Sequence, residues 1–406
     1  MRILMLTQWF EPEPVFKGLL FAKELSKLGH DVQVLTGFPN YPGGKLYNEY
    51  TIKLFQRELI DGIPIFRVPL YPSHDNNGIK RILNYTSFAV SASLMGFFLR
   101  SPDVIYVYHP PATIGLPALF LHLLRSVPFV YDIQDLWPDT LESTGMVNNR
   151  ITIWMVKKWC QFIYSQAAKI VVLSPGFRKT LIKRGVPEYK IEVIYNWCDE
   201  NHLESGVRNK NLARDLGMAG RFNVVFAGTM GKAQTLDAVL EAACLLRDKL
   251  PEIQFVFVGG GIDVGRLKKK AIEQGLRNVR FLPRRPPSEI GDILNLGDVL
   301  LVHLRDDPLF RITIPSKTQA YMAAGRPILM GVRGDAAALI EKAGAGLTCT
   351  PEDPQDIANV VERFYNMPHE DLDLMGYNGK KFYKQELSLR IGVRRFEEIF
   401  RSVTVN

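Results

Sequence analysis

Phe310-Arg311-Ile312-Thr313-Ile314-Pro315-Ser316-Lys317-Thr318-Gln319-Ala320-Tyr321-Met322-Ala323-Ala324-Gly325-Arg326-Pro327-Ile328 is the stretch on which the fold turns. Phe310–Ile314 has no helical period, and Pro315-Ser316 suits a helix start, with Ser316 near the cap. Small residues carry the helix to a Gly325 stop, and Pro327–Met330 then reads as a buried strand. Arg311 and Lys317 bracket the helix start, where uncapped amides and the helix dipole favour an anion. One helix between loop and buried strand is a single step of an alternation, and the same step recurs upstream.

Upstream, strand-like runs stand at Phe222–Ala227, Ile253–Val258, Val279–Leu282 and Val299–Leu304, with a helical pattern after each. Residues 200–220 break the alternation with a polar stretch. Before it, residues 2–7 read as a strand, and Leu19, Ala22, Leu25 and Leu28 follow at helical spacing to a stop at Gly29. Runs at 32–35, 104–107, 129–131, 170–173 and 192–194 complete a second series. Alternation of this kind predicts α/β architecture, here two Rossmann-like doubly wound domains with the ligand in a central cleft. The expected division is 1–200, a linker 201–221, 222–386, and a C-terminal helix 387–406 that packs back on the first domain.

The 406 residues, 47% hydrophobic and 23% charged, suit two globular domains and exclude disorder, collagen and coiled coil. The net charge of +8 is scattered rather than gathered in a tail, so it does not imply nucleic acid. Four distant cysteines without a Cys-x-x-Cys argue against zinc ribbons and a disulfide framework, and fit a reducing cytosol. From Ile82 to Leu99 no residue is charged. Asn84, Thr86, Ser87, Ser91 and Ser93 dilute that run, so a buried or half-buried helix is expected, then membrane contact without crossing, and last a single span.

The loops after the strands hold the candidate chemistry. Gln8–Gly18 lacks Gly-x-Gly-x-x-Gly, which removes most support for a nicotinamide dehydrogenase. Lys17-Gly18 could still meet an anion or a sugar. Gly228-Thr229-Met230-Gly231-Lys232 and Gly259-Gly260-Gly261 are bare strand ends open to phosphate oxygens. Asp135 and His109 end strands of the first domain, where a carboxylate could bind hydroxyls or accept a proton. Asp306-Asp307 are adjacent and read as a solvated turn, so no metal site is expected.

Together these motifs resemble the retaining GT-B glycosyltransferases of family 4 over nearly the whole chain. Asp135-Leu136-Trp137-Pro138, Ile194-Tyr195-Asn196-Trp197-Cys198-Asp199 and Pro315-Ser316-Lys317 with Tyr321–Ile328 carry the likeness. Thr36–Pro42, Ser316–Tyr321 and Arg333–Ala337 resemble bacterial enzymes of O-antigen and capsule assembly, the subgroup of L-fucosamine transferases. The resemblance implies a metal-independent hexosyltransferase-type enzyme without cofactor. It implies a UDP-sugar donor, UDP-N-acetyl-L-fucosamine, and a polyprenyl-diphosphate-linked saccharide acceptor.

Three departures from the family pattern stand out. Its two glutamates fall on Ile312 and Ala320, and its Arg and Lys after the first C-terminal strand fall on Thr229 and Gln234. Gln319 is then the expected substitute at the ribose. Asp135, Lys317 and Arg311 are the expected catalytic residues, with Lys232 and the Ser316 amide on the diphosphate. Gly228, Gly259, Gly261 and Arg284 are expected around the nucleotide, Ile312 and Ile314 against a 6-deoxy sugar, and Lys17, Gly18, His109 and Asn196 along the rest of the substrates.

Residues 78–184 hold 12 basic and 5 acidic side chains. With Trp154, Trp159 and Phe162 beside Lys157 and Lys158, that excess predicts attachment to an anionic membrane surface, the inner face of the cytoplasmic membrane. A UDP-sugar epimerase and a non-catalytic sugar-nucleotide or membrane scaffold stay open as rivals.

Overall fold

In the computed structural model the chain divides into two units, Met1–Tyr195 with Leu389–Asn406, and Asn196–Ser388. The structure describes residues 1–73, 78–143, 146–147, 149–200, 203 and 208–404. Each unit is a Rossmann-like α/β layer structure.

The first unit is built on β1 (Arg2–Leu6), β2 (Asp31–Gly37), β3 (Gln56–Ile60), β4 (Ile63–Val68), β5 (Val104–His109), β6 (Phe129–Ile133), β7 (Lys169–Val172) and β8 (Ile191–Val193). They lie in the order β3-β4-β2-β1-β5-β6-β7-β8 and are parallel except at the β3–β4 hairpin. β5 and β6 are buried along their whole length, as strands covered on both faces must be. The connecting helices are α1 (Leu19–Lys27), α2 (Gly78–Gly96), α3 (Gly115–Arg125), α4 (Asp139–Ser143), α5 (Arg150–Gln166) and α6 (Pro175–Lys183).

The second unit is a wholly parallel sheet of β9 (Phe222–Thr229), β10 (Ile253–Gly260), β11 (Val279–Leu282), β12 (Val299–His303), β13 (Ile328–Gly331) and β14 (Gly346–Thr348). Its order is β11-β10-β9-β12-β13-β14. Around it run α7 (Lys210–Asp215), α8 (Asp237–Leu246), α9 (Val264–Glu273), α10 (Pro287–Leu296), α11 (Pro308–Arg311), α12 (Ser316–Ala324), α13 (Asp335–Ala343), α14 (Pro354–Tyr365) and α15 (His369–Phe382). The last helix, α16 (Leu389–Thr404), belongs to the first unit. There Phe396 meets Phe21 and Tyr106 with ring centroids 5.1 and 5.4 Å away.

The polar stretch expected as a linker is part of the second unit where it is described. Asn209 caps α7 by accepting from the Asn211 and Leu212 amides, and Arg208 pairs with Asp298 at 2.8 Å. Residues 201–202 and 204–207 of that stretch lie outside the described residues. The β3–β4 hairpin was not expected. Its turn, Asp61-Gly62, has φ of +47° and +84°, the left-handed pair that a two-residue hairpin turn demands. The uncharged run from Ile82 falls mostly in α2, whose inner side buries Asn84, Phe88, Ala89, Ala92 and Ser93. Among the described residues no helix is long and apolar enough to cross a membrane.

Candidate active site

The carboxyl ends of β9 and β10 lie side by side, pairing Gly228 with Gly259 and Thr229 with Gly260. Glycine is obligatory here. A Cβ on Gly259 would sit 2.1 Å from the Gly228 carbonyl oxygen, and one on Gly261 would sit 2.1 Å from that of Met230. Both residues also have φ near +140°, at +137° and +145°, where side chains are strained. Two bare strand ends therefore floor a cavity of about 590 Å³, large enough for a nucleotide.

α12 supplies the far wall. The Tyr321 hydroxyl accepts from the Ala227 amide at 2.8 Å and donates to its carbonyl at 3.2 Å, which pins the helix to β9. No side chain caps the first turn of α12, and its N-cap residue is Pro315, not Ser316. Lys317 enters the cavity from that turn. Its Nζ is sealed from solvent, has no hydrogen-bond partner among the described residues, and lies 3.5 Å from the centroid of the Phe226 ring. A ring face compensates little of a lost hydration shell, so burial pulls the lysine down to about 7. Arg284 and Arg285 close one side, and Pro287, Ile290 and Leu294 form an apolar wall. Cys198, Asp199, Leu203 and Ala320 complete the lining. The site is thus a nucleotide-sized slot lined by a desolvated amine, two arginines and an apolar wall.

Gly228, Gly259, Gly261, Arg284 and Lys317 come together here as expected from sequence, while other candidates stand apart. Arg311 is exposed and held by both oxygens of Asp306, at 2.7 and 2.9 Å, which pushes the guanidinium up and the carboxyl down. Asp307 accepts from the Leu309 amide as the cap of α11. Lys232 is exposed in the turn 232–234, and Gln234 closes that turn by accepting from the Gly231 amide. Gln319 is buried, its amide folded back to donate to the Pro315 and Ser316 carbonyls. Ile312, Ile314, Ser316 and Asn196 are not among the described residues lining the cavity. The signal missed for Tyr321 was a polar group on the buried side of a small-residue helix. Leu203, Ile290 and Leu294 carried no such signal, because an apolar residue reads alike in a core and in a pocket wall.

In the first unit the structure corrects Lys17. Its side chain is 1% exposed, its Nζ donates to the Asp132 carboxylate at 2.7 Å, and the Phe396 ring lies against it at 4.8 Å. Tyr106 donates to the same carboxylate at 2.6 Å. A lysine so enclosed ties the sheet to α16 and cannot reach a substrate. Gly18 has a packing reason of its own, since a Cβ would lie 2.4 Å from Val15 and 2.6 Å from the Glu11 carboxylate. That carboxylate accepts from the Leu19 amide at 2.8 Å, so Glu11 already occupies the start of α1.

His109 is fully buried between Tyr131 and Trp137, and desolvation pulls it to about 3. That environment favours the neutral ring. Asp135 is half-buried after β6, and burial raises its carboxyl. Its charge is felt by Tyr41, Tyr85 and Tyr108, so it stands in a tyrosine-lined setting. Glu13 positions Tyr41 by accepting from the Tyr41 and Asn40 amides, both at 2.7 Å.

Two parallel-sheet α/β units, with a nucleotide-sized slot over glycine strand ends in the second, define the GT-B class. Structural comparison agrees. The chain superposes on the UDP complex of Anabaena Alr3699/HepE with a TM-score of 0.75 at 18% identity, over 99% of this chain and 100% of that one. For the sucrose-phosphate synthase of Thermosynechococcus elongatus the values are 0.71 and 15%, over 99% and 98%. Residues 19–197 match a glycosyl transferase 4-like domain, and residues 210–382 match the glycosyl transferases group 1. The chain therefore carries a glycosyl transferase 4-like domain followed by a group 1 glycosyltransferase domain. It is 24% identical to the probable glycosyltransferase WbjE of Pseudomonas aeruginosa, over 80% of each chain. To the putative colanic acid biosynthesis glycosyl transferase WcaI of Escherichia coli it is 27% identical, over 74% of this chain and 75% of that one.

Proposed function

We propose that the protein transfers a sugar from UDP to a polyprenyl-diphosphate-linked saccharide in surface polysaccharide assembly, without a metal, as a peripheral enzyme on an anionic bilayer. The observation that carries the donor half is the Lys317 amine, buried without a partner among the described residues in the lining of a nucleotide-sized slot. An amine desolvated in advance gains most when charge develops on a departing diphosphate oxygen. The uncapped first turn of α12 adds amides to the same oxygens, and Arg284 a second cation. Arg311 would have to leave Asp306 to join them, so Lys317 carries the role.

UDP is the nucleotide in the complexes of Alr3699/HepE, whose fold this chain shares. WcaI is named for colanic acid biosynthesis, which supports the pathway. N-acetyl-L-fucosamine as the sugar rests on the sequence motifs of the first unit and of α12. Asp135, among its tyrosines, is the carboxyl proposed to meet the acceptor hydroxyl. The first unit is then the acceptor side and the second the donor side.

A nucleotide panel tests the donor half. UDP should raise the Tm more than ADP or GDP, and EDTA should leave the shift unchanged. An EDTA-sensitive shift would overturn the metal-free reading. Incubation of UDP-sugars with and without a lipid-linked acceptor tests the rest. Release of UDP that requires the acceptor supports transfer, and interconversion of sugars without it would mean an epimerase.

A further inference from the structure

α2 is apolar on both sides. Its inner side packs Phe88, Ala89 and Ala92, with Asn84 among them accepting from Gln8 at 2.6 Å and donating to the Tyr71 carbonyl at 2.7 Å. Its outer side carries Ile79, Leu83, Val90 and Leu94 at helical spacing, all exposed, and runs on into Phe97 and Phe98. Phe98 is 77% exposed. Arg125 holds the chain there by donating to the Phe97 and Leu99 carbonyls, so these rings are presented on a fixed loop.

The apolar surface continues across neighbouring helices. Phe97 meets Phe120 of α3 at 6.5 Å between centroids, and Leu116, Leu123 and Leu124 of α3 are exposed. α3 and α5 pack closely, for a Cβ on Gly115 would lie 2.7 Å from Ile163, and the Trp159 indole donates to the Ala112 carbonyl at 2.9 Å. The outer side of α5 then adds Ile151, Trp154, Met155 and Phe162. Three adjoining helices thus turn large apolar side chains to solvent.

Charge selects the occupant. α2, α3 and α5 contain no aspartate or glutamate, and their cations include Lys80, Arg81, Arg125, Lys157 and Lys158. An apolar face on helices whose charged side chains are all positive complements an acyl layer beneath anionic headgroups. We infer that the α2–α3–α5 face is the bilayer-binding surface of the protein, attached by insertion of Leu94, Phe98 and Leu123 with the cations on lipid headgroups. This deepens the lipid-linked acceptor reading by naming the surface and the mode of attachment. It differs from attachment through Lys157 and Lys158 alone, because salt then weakens binding without abolishing it.

The test uses the full chain with vesicles of phosphatidylcholine containing about a third phosphatidylglycerol, without nucleotide or acceptor. Co-sedimentation is expected and should persist at 0.5 M NaCl. The Leu94→Glu, Phe98→Glu double variant should lower partitioning at least tenfold with an unchanged Tm. Trp154 fluorescence, assigned with Trp154→Phe, should be quenched by lipids brominated in the acyl chain. Full release by salt, wild-type partitioning of the double variant, or vesicle-free dimerisation that the double variant abolishes would each overturn the inference. Because this assay holds neither donor nor acceptor, its outcome is independent of transfer, and failure of the separate acceptor assay with vesicle binding intact would count against the enzymatic reading alone.

Discussion

At Lys317 a single amine decides what the second unit can bind. Replacing it by alanine should lower turnover about tenfold to a thousandfold, the range for losing one preorganised charge partner. Arg311→Ala, which removes a surface partner of Asp306, should change turnover less than Lys317→Ala, and steady-state rates of the two variants check the order. The titration of the lysine has a definite sign. With its free amine near 7 rather than its ordinary 10.5, the group is charged below pH 7 and neutral above it. A bound diphosphate favours the charged form, so UDP affinity should fall as pH rises from 7 to 9, by up to tenfold per unit. In the empty protein the same group makes stability rise over that window, since only the unfolded chain keeps the proton. UDP affinity that is flat across the window would show that the amine does not meet the phosphates.

Lys17 was legible as a cation at a helix start and misleading for that reason. Nothing in the local sequence announces that Asp132, 115 positions away, sits beneath it. Asp132→Asn should cost several kcal/mol, about 3–5, because it leaves an amine buried without its charge partner. Denaturation monitored in urea checks this, and UDP affinity of the folded fraction should be unchanged.

Among elements, those with strong periodicity were read nearly where they stand, including β1, α1, β9, β10 and α16. The β3–β4 hairpin escaped because Pro64 interrupts its second strand and the Asp61-Gly62 turn signal is only two residues long. The glycine strand ends were found, though their reason is tertiary. Gly259 and Gly261 are required by the backbone of Gly228 and Met230 beside them, Gly228 by its positive φ, and the bare surface facing the ligand is a consequence. Gly259→Ala should therefore destabilise the second unit by more than about 2 kcal/mol, through both steric overlap and positive φ. Phe396→Ala, at a fully buried ring, should cost the first unit about 3–5 kcal/mol and loosen α16. Hydrogen exchange on α16 and β5 would register the second change while leaving β9 and β10 protected.

For the whole molecule, composition and alternation were enough to predict two Rossmann-like units, since a strand covered on both faces, such as β5, β6 or β12, reads as a continuous apolar run. The candidate site was legible to the extent that it rests on local chemistry, as at Gly228, Gly259, Gly261, Arg284 and Lys317. It was not legible where a side chain's partner is distant, as at Lys17, or where folding back satisfies it, as at Gln319. The central claim is that the slot over β9, β10 and α12 binds the nucleotide diphosphate through Lys317. Calorimetric titration of UDP into the wild-type chain and into its Lys317→Met and Arg311→Met variants tests it most directly. The account predicts binding at least tenfold weaker for Lys317→Met and unchanged for Arg311→Met. Equal affinity for wild type and Lys317→Met, or no binding of UDP at millimolar concentration, would contradict it.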